Sequence, residues 1–136
     1  MKLEPRHTHV ITKEKSHFQG HVVDIKSIDD VIPAIKSLQK DSRVSGATHM
    51  IYAYRVGNDN YSMQNWEDDG EWGGGRKIME EIYKGEVYNR LVCVTRWYGG
   101  QNIGEARFQT ISELAATALT LVPIDKDDDW ANSSFY

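Results

Sequence analysis

The chain has 136 residues, 26% charged and 40% hydrophobic, which fits one globular domain able to bury its own core. Its one cysteine, Cys93, excludes an internal disulfide and points to a reducing, cytoplasmic setting, and no run approaches the roughly 18 apolar residues of a membrane span. The net charge of −4 is largely local, because Asp125-Lys126-Asp127-Asp128-Asp129 carries four acids and one base, so a basic patch elsewhere is neither demanded nor excluded.

In chain order, residues 1–13 read as a flexible N-terminal arm, with room for a short strand at His9–Thr12. Phe18–Val23 predicts a strand. Ile28, Val31, Ile32, Ile35 and Leu38 share one helical face, predicting a helix that ends near Lys40–Arg43. Its start lies at one of two caps. Ser27 would leave Pro33 past the first turn, at the cost of a backbone bond; Asp30 would place Pro33 inside it. Thr48–Arg55 predicts a strand with Met50, Tyr52 and Tyr54 on one face and His49, Ile51, Ala53 and Arg55 on the other. Gly57–Asn60 is a turn signal, and Tyr61–Trp66 its returning partner. A helix opens at Gly74 or Gly75, turns Ile78, Met79, Ile82 and Tyr83 inward, and stops at Gly85, read as a left-handed cap. Leu91–Thr95 is almost wholly apolar, as in a strand covered on both faces. The last helix runs from about Glu105 to Leu121 with Phe108, Ile111, Leu114, Ala115, Ala118 and Leu119 on its core face; residues 123–136 read as an acidic tail. The order β-α-β-β-α-β-α predicts an α/β fold of the two-layer α+β kind, with helices on one sheet face and the other face at least partly open.

Two glycine-rich loops carry the candidate chemistry. In the first, Glu67, Asp68, Asp69 and Glu71 gather four carboxylates within five positions. Clustered oxygens suit a hard cation, but the spacing lacks the alternation of a calcium loop, and acids also collect ahead of a positive helix N-terminus. Gly73-Gly74-Gly75-Arg76 can bare backbone N–H groups to an anion with Arg76 as clamp, or simply let loop and helix pack closely. The second loop, Arg96-Trp97-Tyr98-Gly99-Gly100 through Gly104, leaves the end of the apolar strand and enters the last helix. Arg96 beside two rings suits phosphate and base stacking; equally, it can pair with Asp68, Asp69 or Glu71 and tie the loops together. His49 sits among core-facing neighbours, where a histidine is ordinarily a hydrogen-bonded structural residue. Cys93, inside an apolar strand, is expected to be inert. No nucleophile elbow, Ser-His-Asp order or paired-cysteine metal motif is present in the sequence.

Ala47–Arg55, then Glu67-Asp68-Asp69-Gly70-Glu71, then Val94-Thr95-Arg96-Trp97-Tyr98-Gly99-Gly100 with Gly104 and Arg107-Phe108, resemble the IMPACT family in order and spacing. Ser16-His17-Phe18-Gln19-Gly20 is similar to the family's opening strand, and the likeness covers residues 14–122. Trp72 stands where the family usually carries Pro or Thr. The resemblance implies a fold like the second domain of a small-subunit ribosomal protein, with helices on one face of a mixed sheet and a left-handed crossover. It also implies a role in translation and its starvation control, in a eukaryotic-type member lacking the N-terminal RWD domain.

The expected function is therefore non-enzymatic: regulation of translation through a protein, ribosome or RNA partner, without a cofactor, membrane association or stable oligomerisation beyond a weak dimer. The expected partner surface comprises His49, Arg55, Asp68, Asp69, Glu71, Arg76, Arg96, Tyr98, Gly99, Gly100, Gly104 and Arg107, with Tyr52 and Tyr54 offering an RNA-stacking face. The alternative is a metal-assisted hydrolase using Asp68, Asp69, Glu71 and His49.

Overall fold

The computed structural model describes residues 3–123; the acidic tail expected at 123–136 lies, Pro123 apart, outside the described residues. Five strands and three helices follow in the order β1 (Arg6–Lys13), β2 (Ser16–Asp24), α1 (Val31–Lys40), β3 (His49–Gly57), β4 (Ser62–Glu67), α2 (Gly74–Lys84), β5 (Arg90–Trp97) and α3 (Ala106–Thr120). They build one sheet of order β1-β2-β5-β3-β4. The predicted elements from Phe18 to Leu121 all form, and the α/β class stands.

Several expectations change. The expected N-terminal arm is mostly an edge strand: Arg6–Lys13 pairs with β2 through a turn at Glu14 and Lys15, both with positive φ. A bulge between His7 and Val10 breaks the alternation that would have marked it. Ser27 caps only a 3-10 turn, Ile28–Asp30; α1 starts after Asp30, so Pro33 is its third residue, where its missing N–H lacks no helical partner. At the end of α2 the left-handed residue is Glu86, φ 52°, rather than Gly85, φ −83°. Tyr83 faces out instead of in.

The sheet is antiparallel at each of its four pairings rather than mixed. Helices also lie on both of its faces. Val22, Ile51, Ala53, Val92 and Val94 point to a core closed by Ile78, Met79 and Ile82 of α2 and Ile111, Leu114, Ala115 and Ala118 of α3. The alternate residues Val23, Val56, Leu91 and Cys93 point the other way, against Val31, Ala34 and Leu38 of α1. Tyr52 and Tyr54, expected on an open face, are partly buried against this second core. Burial also pushes the Cys93 thiol up, so it stays protonated.

The handedness of the connections follows from this topology. β2 and β3 run the same way with β5 between them, and so do β4 and β5 with β3 between them. α1 connects the first pair and α2 the second, in opposite lateral directions and on opposite faces. A half-turn about the sheet normal superimposes the two strand paths but leaves the helices on different faces. The two crossovers are therefore of opposite hand, and one of them breaks the right-handed rule.

Candidate functional site

Both glycine-rich loops lie at the sheet end where β3 begins and β4 and β5 finish; His49 and Arg96 are cross-strand partners there. The first loop is folded by its own carboxylates. Asp68 accepts from the backbone N–H groups of Gly73 at 3.1 Å and Gly75 at 2.8 Å, so the anion held by the α2 N-terminus is internal. Asp69 accepts from the Met50 N–H at 2.7 Å, while its carbonyl accepts from His49 Nδ1–H at 2.7 Å. Glycine is required where the chain turns or touches. Gly70 and Gly73 have φ near +90°, and a Cβ on Gly70 would come within 2.9 Å of the His49 ring.

Glu71 is the centre of the arrangement. Its Oε1 accepts from Arg96 Nη1 at 2.5 Å, and its Oε2 accepts from Arg107 Nε at 2.8 Å. His49 Nε2 stands 3.5 Å from the same carboxylate. The side chains of Glu71 and Arg96 are only 4% and 5% exposed. Arg96 also donates from Nε and Nη2 to Ser16 Oγ at 3.3 and 3.2 Å, and its guanidinium lies 5.3 Å from the ring centres of Phe18 and Tyr98. Ser16 Oγ accepts further from the Gly99 N–H at 3.1 Å. Arg107 closes the loop by donating from Nη1 to the Gly104 carbonyl at 2.7 Å. One buried carboxylate thus joins two guanidinium groups carried by β5 and α3, and the two loops form one unit.

Of the expected site residues, His49, Asp69, Glu71, Arg96 and Arg107 are brought together. Asp68 caps α2. Gly99 is pressed against the Lys15 backbone, while Gly100 and Gly104 supply left-handed turns with φ 88° and 71°. Arg76 is exposed on the first turn of α2. Arg55 is not part of the unit; it lies toward the far end of β3. The ion pair joining Arg96 to the first loop was legible in the sequence. Ser16 was missed as a site residue, because nothing in its local sequence marks it as the acceptor for Arg96.

The solvent side of this unit is aromatic. Trp72, next to Glu71, is 79% exposed, and Tyr98, two residues past Arg96, is 51% exposed. Large rings on a backbone pinned by a buried bridge suit a partner contact. They do not suit the hydrolase reading, because the loop carboxylates already serve hydrogen bonds and ion pairs inside the protein. Among the described residues, no group of three or more His, Cys, Asp or Glu is placed to hold a metal ion, and no helix is long and apolar enough to cross a membrane.

Residues 14–119 match the Impact N-terminal domain family. The protein IMPACT homolog of Caenorhabditis elegans is 34% identical over 119 residues, covering 85% of this chain and 46% of that protein. Protein IMPACT of Rattus norvegicus is 36% identical over 111 residues, covering 80% of this chain and 35% of that protein. The chain therefore spans less than half the length of these relatives. Among solved structures, the two-domain translational regulator Yih1 superimposes with a TM-score of 0.58 at 30% identity, over 83% of this chain and 45% of that one. A hypothetical protein superimposes with a TM-score of 0.75 at 20% identity, over 88% of this chain and 59% of that one, a likeness of fold alone.

Proposed function

The chain belongs to the Impact N-terminal domain family, and from that premise we propose that it acts in translational regulation, by binding a protein partner rather than by catalysis. The docking surface is the outer rim of the two glycine-rich loops. The observation that carries this reading is Trp72: a 79% exposed indole adjoining the buried Glu71–Arg96–Arg107 bridge. An indole held out on a fixed backbone loses little freedom on binding, which favours its use as an anchor. Its similarity to a translational regulator supplies the setting. Restraint of a starvation-activated kinase is the finer form of the same reading.

A protein partner is favoured over RNA. Of the loop-unit arginines, Arg96 is buried and Arg107 is bound to Glu71, which leaves Arg76 exposed. The Tyr52/Tyr54 face is partly covered as well. A single free arginine in the loop unit is little for a phosphate backbone.

The test is affinity capture from extracts prepared to preserve ribosomes, comparing the wild type with the double variant Trp72→Ala/Tyr98→Ala. The wild type retrieves ribosomal proteins or translation factors; the variant, with an unchanged melting temperature, loses them. Equal retrieval by both proteins rules out the loop rim as the docking surface. Retrieval that disappears on nuclease treatment favours RNA.

A further inference from the structure

At the other end of β3, about 20 Å from the loop unit at ~3.4 Å per residue, a second concavity has no part in the function proposed above. It is a cavity of about 710 Å³ lined by Arg55, Asn58, Asp59, Tyr83, Glu86 and Asn89, among others. That volume lies within the usual range for small-ligand sites.

Arg55 is built in as few surface arginines are. Its guanidinium is sandwiched between the rings of Tyr83 and Tyr88, 4.3 and 4.1 Å from their centres. Its Nε is buried without a hydrogen-bond partner, and among the described residues the guanidinium has no hydrogen-bond or ion-pair partner beside the two rings. Its cross-strand neighbour in β5 is another cation, Arg90, which has its own partners in Asp24 and the Leu119 carbonyl. Like charges opposite one another destabilise a sheet, and an anion beside Arg55 would relieve this. The two rings leave the edge of the guanidinium as its route to a ligand, the geometry that grips a carboxylate.

The rim carries the opposite charge. Asp59 accepts from the Tyr88 hydroxyl at 2.8 Å, which fixes that ring. Glu86 follows the C-terminus of α2 with a left-handed φ of 52° and, among the described residues, has no ion-pair partner. The end of α2 is itself the negative pole of a helix and favours a cation. Asn89, also left-handed at φ 62°, donates its N–H to the Arg55 carbonyl and accepts the Gly57 N–H on Oδ1, so backbone strain and hydrogen bonding fix the floor. The cavity therefore holds a cation and an anion, each without an ion-pair partner among the described residues, that do not pair with each other.

We propose that this cavity binds a small zwitterion of the α-amino-acid class, its carboxylate on Arg55 and its ammonium on the Glu86 and Asp59 side. A dianion such as phosphate would meet two rim acids, and a simple cation would leave Arg55 unmatched. A ligand carrying both charges answers both groups.

The test is an NMR titration of the chain with each of the twenty L-amino acids, and with acetate, inorganic phosphate and methylammonium as partial ligands. The expected result is saturable shifts at Asn58, Tyr88 and Asn89 with at least one amino acid, at low-millimolar affinity or tighter. The partial ligands bind at least about tenfold more weakly, a difference of roughly 1.4 kcal/mol. Glu86→Gln, on the exposed rim, weakens the amino acid but not acetate; Arg55→Met weakens both. If Arg55→Met fails to fold, Glu86→Gln alone decides. No saturable binding by any amino acid, acetate or phosphate binding as tightly, or indifference to Glu86→Gln each overturns the assignment. Trp72→Ala/Tyr98→Ala leaves this titration unchanged, so failure here and failure of the loop surface are separately visible.

Discussion

Glu71 decides more at the residue scale than any other side chain. It is a single buried carboxylate between two guanidinium groups, so its removal strands two cations at once. Breaking a buried pair from one side typically costs about 3–5 kcal/mol. Glu71→Gln should lose stability in that range in urea unfolding, while Arg76→Ala, which breaks no ion pair among the described residues, should stay within about 0.5 kcal/mol. Near-equal stabilities would show that the bridge does not hold the loops. A second residue-scale consequence concerns acid. His21 is buried, with Nδ1 2.7 Å from Nδ1 of His7 and Nε2 2.8 Å from the Thr95 hydroxyl. Asp41 and Arg43 face the pair from the end of α1. Two facing nitrogens share one hydrogen, so the pair resists full protonation. Burial lowers the His7 pKa, and burial together with His7 lowers His21 to about 3, against 6.5 unfolded. The unfolded chain then binds more protons, so this stability is present above pH 6.5 and is lost as the pH falls towards 3. The slope is about 1.4 kcal/mol per pH unit for each excluded proton. Urea midpoints that stay flat between pH 6.5 and 5 would contradict this.

Among the elements, two glycines of one loop should behave differently. A Cβ on Gly99 would overlap the Lys15 carbonyl, which belongs to the β1–β2 turn, whereas Gly104 has open space but a φ of 71°. Gly99→Ala forces the hairpin away from β5 and should cost about 1–3 kcal/mol or more. Gly104→Ala meets only the left-handed penalty of roughly 1–2 kcal/mol. Thermal melts of the two variants check the order, and a reversal would mean that the hairpin turn does not rest on Gly99. The same elements show what the sequence could reveal. The α2 start was legible because a glycine run precedes a strongly periodic apolar face, and β5 because five apolar or small residues in a row suit a strand covered twice. β1 was missed because it is polar, lies at an edge and is bulged. The antiparallel pairing and the position of α1 on the second face were not legible, since local pattern records which residues are buried but not which helix buries them. The Arg96–Glu71 bridge was foreseeable from complementary loops; the contributions of Ser16 and Arg107 depend on β2 and α3 converging there, which only the assembled sheet shows.

Considered as a whole, the molecule is organised around β3, whose first residues anchor the paired loops and whose far end presents Arg55. Each end of β3 carries its own constellation of polar groups. The loop end, with Trp72 and Tyr98 outward and Glu71 inward, is the proposed partner surface. Hydrogen–deuterium exchange on the chain, alone and bound to the partner recovered by capture, tests this most directly. Slowed exchange in residues 67–76 and 96–104, with residues 85–90 unchanged, is the predicted result; protection confined to any other segment would contradict it.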